Sequence, residues 1–255
     1  MGHRRSHGGV RCAAVTATRS AHATASFGAD PVHVQWFAEH VLQSLGGAAP
    51  PRVLDIGCGD GALILHLAQV MPRSSFLGVD LSDANIAAAS AAISRSPHRS
   101  RLAAVRNDYL QLDAGRFDLL LASSSLQGID ATSQQLADKL AHDAAAGGRL
   151  IHVTPYRCPY NYALNSVRRG LRQMRGAATD RMILTVARML HPDRPYSMLR
   201  ERVDYMYLVL RHYEDDLRAA MRLHDFQLVA AQPAPHTSLG QPKHRLVVMS
   251  APAHG

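Results

Sequence analysis

Cysteine is scarce in this chain of 255 residues. The three present, Cys12, Cys58 and Cys158, are too widely spaced for a zinc pattern or a disulfide framework. That excludes a stapled secreted scaffold, fits a reducing cytoplasmic setting, and leaves no expected metal. Apolar runs are short as well. None approaches the roughly 18–20 residues needed to cross a bilayer, so no transmembrane segment is expected. Aromatic residues make up only 5% of the chain, and no aromatic-studded basic module suggests nucleic acid as a partner. Acids are missing altogether from residues 1–29, which hold Arg4, Arg5, Arg11 and Arg19. Of the net charge of +8, four units therefore sit in this opening and +4 in the remainder. The opening has no periodicity and reads as a disordered basic tail, with an organelle-targeting segment as the alternative.

What is present is an ample core: 47% of residues are apolar, which excludes wholesale disorder. Val34, Phe37, Ala38, Val41, Leu42 and Leu45 recur at helical spacing before Gly46-Gly47. Strands and helices then alternate. Strands are expected at 53–56, 75–79, 102–106, 117–122 and 149–154, and helices at 62–70, 83–93 and 133–145. Residues 156–213 break the rhythm with mostly helical sequence. A helix at 214–223 and strands at 226–231 and 244–250 restore it. This is the pattern of a doubly wound α/β sheet, with core residues 30–155 and 214–255 and a helical cap inserted at 156–213.

The loop Asp55-Ile56-Gly57-Cys58-Gly59-Asp60-Gly61 lies between the first strand and the next helix. Its glycines let a ligand approach the backbone at a helix N-terminus. Gly57, Gly59 and Ala62 alone also satisfy a dinucleotide fingerprint, so a nicotinamide oxidoreductase is the competing reading. The carboxylates Asp55 and Asp60 favour another ligand. They would repel a pyrophosphate but tolerate an ammonium and a sulfonium. Two further acids fall at strand ends: Asp80, placed to accept from ribose hydroxyls, and Asp108, placed to accept from an adenine amino group.

On these residues the chain resembles the class I S-adenosylmethionine-dependent methyltransferases. VLDIGCGDGALILHLA is similar to their first motif, FLGVDLS to the second, and VRNDYLQL and FDLLLASSSLQGI to the next two. The resemblance implies a seven-stranded, mostly parallel Rossmann-like sheet with an antiparallel last strand, and S-adenosyl-L-methionine as cofactor. It implies that Asp55, Gly57, Cys58 and Gly59 shape the methionine end. Asp80 would take the ribose, Leu81 would pack on the adenine, and Asp108 with the Tyr109 backbone would take the adenine amino group. Ser123 would offer its carbonyl to the methionine amino group.

The acceptor pocket is expected beyond the carboxyl ends of the strands, drawing on Ser123 to Gln127, Tyr156, the first helix and the insertion. Gln127, Tyr156 and His212 are the catalytic candidates. His152, His191, Tyr160 and Tyr213 are further possibilities, His152 being better suited to the core or the cofactor floor. SSSLQ replaces the Asn/Asp-Pro-Pro-aromatic motif of enzymes that methylate amide or exocyclic amino nitrogens, which points to an oxygen of a small acidic or hydroxylated metabolite. Arg168, Arg172 and Arg175 share one helical face, expected either to be solvated or to meet an anion, such as a small acid or an acidic carrier protein. SSLQ and the helical run after it are similar to malonyl-carrier O-methyltransferases. A non-catalytic cofactor-binding subunit and a homodimer are the remaining alternatives.

Overall fold

Asp30 starts the first helix. In a computed structural model, which describes residues 30–192, 196–201, 203–236 and 240–253, its carboxylate accepts from Val32 N at 3.0 Å, and Pro31 occupies the first helical position of α1 (Pro31–Leu45). Gly46, in the left-handed region at φ 57°, closes the helix. The expectation for residues 1–29 lies outside the described residues.

The alternation then runs β1 (Arg52–Ile56), α2 (Ala62–Val70), β2 (Ser75–Asp80), α3 (Asp83–Arg95), β3 (Leu102–Arg106), β4 (Phe117–Ser123), α4 (Ser133–Asp143) and β5 (Ala144–Pro155). The chain returns through α8 (Glu214–Arg222), β6 (Gln227–Pro233) and β7 (His244–Ser250). The sheet order is β3-β2-β1-β4-β5-β7-β6, and β7 runs antiparallel to both of its neighbours. Alternate residues of the central strands feed two cores. Val53, Leu119, Leu121, Ile151 and Val153 pack with α1 and α2. Leu54, Ile56, Leu120, Ala122 and Leu150 pack with α4 and α8. Strand order reverses between β1 and β4, so a ligand crevice opens at their carboxyl ends.

One boundary differs from the alanine-rich pattern. Residues 144–148 belong to β5 rather than to the preceding helix or its connection. Ala144 pairs with Phe117 of β4, Gly147 takes φ 70°, and Ala251 N donates to Gly148 O at 2.8 Å. Ladder bonds outweigh the helix propensity of three alanines.

Between β5 and α8 lie α5 (Pro159–Gln173), α6 (Ala177–Leu190), α7 (Tyr196–Glu201) and a 3-10 turn, Val203–Tyr207. Leu171, Ile183, Val203 and Tyr207 form a small core of their own. The arginines expected to share one outward face do not. Arg168 is completely buried, donates to Leu208 O at 3.1 Å and Gly240 O at 2.9 Å, and lies over the Tyr205 ring. Arg175 pairs with Asp204 and covers Tyr207. Arg172 alone of the three is exposed without such a role. Helical spacing identified a face; the 203–210 segment then folded over it.

His152 stands on β5 opposite Ala122 and Val247. Neither ring nitrogen has a hydrogen-bond partner, and burial lowers its pKa from 6.5 to about 4. The folded state therefore favours the neutral ring. The stability this allows is complete above pH 6.5 and is lost as pH falls towards 4. His152→Leu is expected to raise unfolding free energy at pH 7 by about 1–2 kcal/mol, by removing unpaired buried polar atoms. It should also flatten the loss between pH 6.5 and 4; denaturant titrations at both ends of that window measure both effects.

Candidate active site

The glycine loop is held by backbone and carboxylate together. Gly57 N and Cys58 N both donate to Val79 O, at 2.8 and 3.0 Å. Asp80, the last residue of β2, accepts from Gly59 N at 2.9 Å through one oxygen and from Ser82 N at 2.8 Å through the other. Asp60, one residue before the Gly61 N-cap of α2, accepts from Ala62 N at 3.2 Å. Gly57 is obligatory on two counts: its φ is 73°, and a Cβ there would collide with the Cβ of Ser125. Ser125 closes the other side of the switch point, its hydroxyl donating to Ile56 O.

Asp55 lies beneath this loop, 2% exposed. Burial, and then the negative charge of Asp80, raise its pKa from 3.8 to about 7. A buried carboxylate facing a second one is an unfavourable arrangement that a cation would relieve. The donor set therefore fits a ligand carrying an ammonium or a sulfonium and opposes a pyrophosphate. Among the described residues, no group of three or more His, Cys, Asp or Glu is gathered to hold a metal ion.

Other residues of the loop and strand ends have distinct surroundings. Cys58 is buried against β2; a Cβ on Gly78 would meet its Sγ at 2.7 Å. Burial pushes the Cys58 thiol well above its ordinary range, so it packs rather than reacts. Leu81 is 40% exposed at the end of β2, an apolar surface open to a ring. Asp108 accepts from Leu110 N at 3.0 Å and caps the short turn Tyr109–Gln111. The Tyr109 side chain is buried beside Asp143, leaving its backbone as the part near the strand end.

After β4, Ser124 adopts φ 61°, unusual for a residue other than glycine and a sign of a constrained turn. Ser123 meets a residue that spacing did not single out: His33 Nε2 lies 3.0 Å from Ser123 Oγ. Desolvation lowers the His33 pKa, against an opposing pull from Asp30, so the ring is neutral at pH 7. The Asp30-Pro31 helix start places His33 in the first turn of α1. Its meeting with Ser123, 90 positions away, is a tertiary contact with no local signal.

The three catalytic candidates are not brought together as an open group. His212 has both ring nitrogens engaged, Nε2 with Ile129 O at 3.0 Å and Nδ1 with Ser133 Oγ at 3.1 Å. A carbonyl only accepts, so Nε2 carries the proton and Nδ1 accepts from the hydroxyl. With φ 50°, and its own carbonyl accepting from Thr154 Oγ1 at 2.9 Å, His212 pins the chain where it re-enters the core. Tyr156 lies under Arg245, 4.9 Å from guanidinium to ring. Gln127 is 1% exposed, with both amide atoms unpartnered. Tyr160 accepts from Gly240 N and Tyr213 from Asn165, while His191 caps α6; these too serve the cap.

Residues 54–150 match the methyltransferase domain family. A malonyl-[acyl-carrier protein] O-methyltransferase of Geobacter sulfurreducens is 33% identical over 131 residues, covering 49% of this chain and 48% of that protein. A release factor glutamine methyltransferase of Agrobacterium fabrum is 29% identical over 108 residues, 42% of this chain and 37% of that protein. The chain thus spans less than half the length of these curated relatives. Among solved structures, the N-methyltransferase NodS of Bradyrhizobium japonicum with S-adenosyl-L-homocysteine superposes at TM-score 0.56 and 16% identity, covering 88% of this chain and 89% of that one. A magnesium protoporphyrin IX methyltransferase of Synechocystis superposes at TM-score 0.55 and 19% identity, covering 86% and 84%. These likenesses share the fold.

Asp55 supplies a test that needs no ligand. Its folded pKa lies above the unfolded value, so its ionisation destabilises the fold as pH rises from about 4 through 7. Asp55→Asn is expected to raise the melting temperature of the ligand-free protein at pH 8, with the gain shrinking towards pH 5 in circular-dichroism melts. The matched stretch, residues 54–150, is a methyltransferase domain, and it carries the glycine loop at the point where strand order reverses.

Proposed function

We propose that the chain transfers a methyl group from S-adenosyl-L-methionine to an oxygen of a small acidic or hydroxylated acceptor. The observation that carries the cofactor is the buried Asp55, its pKa raised by burial and by Asp80 beneath a glycine loop. When bound, the cofactor supplies an electrophilic methyl on a sulfonium. Asp55 and the loop of Gly57 and Gly59 would hold the methionine end. Asp80, Leu81 and Asp108 would receive the ribose and adenine, and the Ser123 carbonyl the amino group.

The chain's work is then to align the acceptor and exclude water, since the leaving group is good. A carboxylate acceptor would need no base. A hydroxyl acceptor would lose its proton to His33, which is neutral and stands at the end of β4 beside Ser123. The SSSLQ turn, lacking the Asn/Asp-Pro-Pro-aromatic motif, favours oxygen over an amide nitrogen.

A second reading is methylation of an acyl group carried on an acidic carrier protein. It is favoured by the 33% identity to a malonyl-carrier O-methyltransferase over about half the chain.

A screen with methyl-labelled cofactor over carboxylates, phenols and amines separates the possibilities. Labelled esters or ethers are expected. Label only in amines would contradict the oxygen assignment, and no label in any class or in a carrier-bound acid would favour a non-catalytic subunit. Asp80→Ala is expected to weaken S-adenosylhomocysteine binding at least tenfold, about 1.4 kcal/mol, for loss of a charged hydrogen-bond acceptor. Calorimetry on a variant shown to be folded measures it.

A further inference from the structure

The cap carries an outward surface that the methyl-transfer reading does not use. On α6, Ile183 is buried against Leu171, Val203 and Tyr207, which fixes the inner face of the helix. Met182, Val186, Met189 and Leu190 fall at i, i+4, i+7 and i+8 and are 50%, 49%, 77% and 53% exposed. At 100° per residue these form one stripe. Arg181 and Arg188, also exposed, lie seven residues apart along one border of it. Asp180 is the one acid between residues 174 and 190, and it is turned inward to accept from the Tyr207 hydroxyl. The outer face therefore presents apolar area and positive charge with no compensating carboxylate from its own helix. A cavity of about 520 Å³ opens beside it, lined by Arg181, Leu184, Thr185, Arg188, Met189 and Tyr196.

Two classes of partner could meet such a face, an acidic protein or an anionic lipid surface. Two of the arginines that spacing offered for a protein contact, Arg168 and Arg175, are consumed inside the cap. What remains outside is a stripe of four large apolar side chains with charge on its border. That is the arrangement of a helix lying in the headgroup region of a bilayer, apolar stripe inserted and arginines among the phosphates. Among the described residues no helix is long and apolar enough to cross a membrane, so contact would be confined to the surface.

We propose that α6 is a membrane-contact helix that seats the cap on an anionic lipid surface. The contact is independent of which atom is methylated. Sedimentation of the full chain with phosphatidylcholine vesicles, and with vesicles rich in phosphatidylglycerol, tests it. Strong binding to the anionic vesicles only is expected, weakening with salt. The double variant Arg181→Gln/Arg188→Gln should lower the partition coefficient about 30-fold, which is about 2 kcal/mol. Met182→Asp/Met189→Asp should abolish binding while leaving the melting curve unchanged, because both side chains are exposed. Four outcomes would overturn the proposal: no binding to either vesicle; equal binding to both; anionic binding retained by both double variants, which would assign it to the basic N-terminal residues; or binding to an acidic carrier protein in place of vesicles.

Discussion

The carboxylate of Asp80 ties the glycine loop to the end of β2, and the candidate site depends on that tie. It accepts from Gly59 N on one side and from Ser82 N on the other, so the loop, the strand end and the start of α3 become one unit. The same charge lies close enough to Asp55 to hold its pKa up. A protein gains nothing in stability from a second carboxylate close to the buried Asp55. The arrangement makes physical sense when a cation completes it. Gly57, Ser125 and Ile56 then fix the loop against the turn after β4, at the point where strand order reverses.

The layout of the sheet was readable from the sequence because each of its signals is local. Apolar strands such as FDLLLA, the helical spacing from Val34 to Leu45 before Gly46-Gly47, and acids at successive strand ends all act within a few residues. The one misread boundary, residues 144–148, is where an alanine run carries a helix signal and a long-range ladder overrides it. The places of the glycine loop and of the strand-end carboxylates were legible for the same reason: they sit at fixed offsets from strands whose positions were clear.

The acceptor end was not legible in this way. Fifteen histidines offer many candidates, and residue type alone does not say which ring is committed. His212 looked available beside the returning helix but spends both nitrogens on Ile129 and Ser133. His33 was not distinguished at all, since its meeting with Ser123 depends on how α1 crosses the end of β4. The arginines teach the same lesson. Spacing placed Arg168 on a helical face, yet a neighbouring segment buries it, whereas Arg181 and Arg188 keep their faces open. Burial by distant segments is the quantity that local periodicity does not contain.

The buried Asp55, its pKa raised to about 7, is expected to meet a cation at the glycine loop. Calorimetric titration with S-adenosylhomocysteine between pH 6 and 8 tests it directly. Binding should tighten as pH rises through about 7, with proton release to the buffer at pH 6, and Asp55→Asn should bind more weakly with no such dependence. Affinity that is independent of pH and unchanged in Asp55→Asn, or tight binding of NAD in its place, would contradict the account.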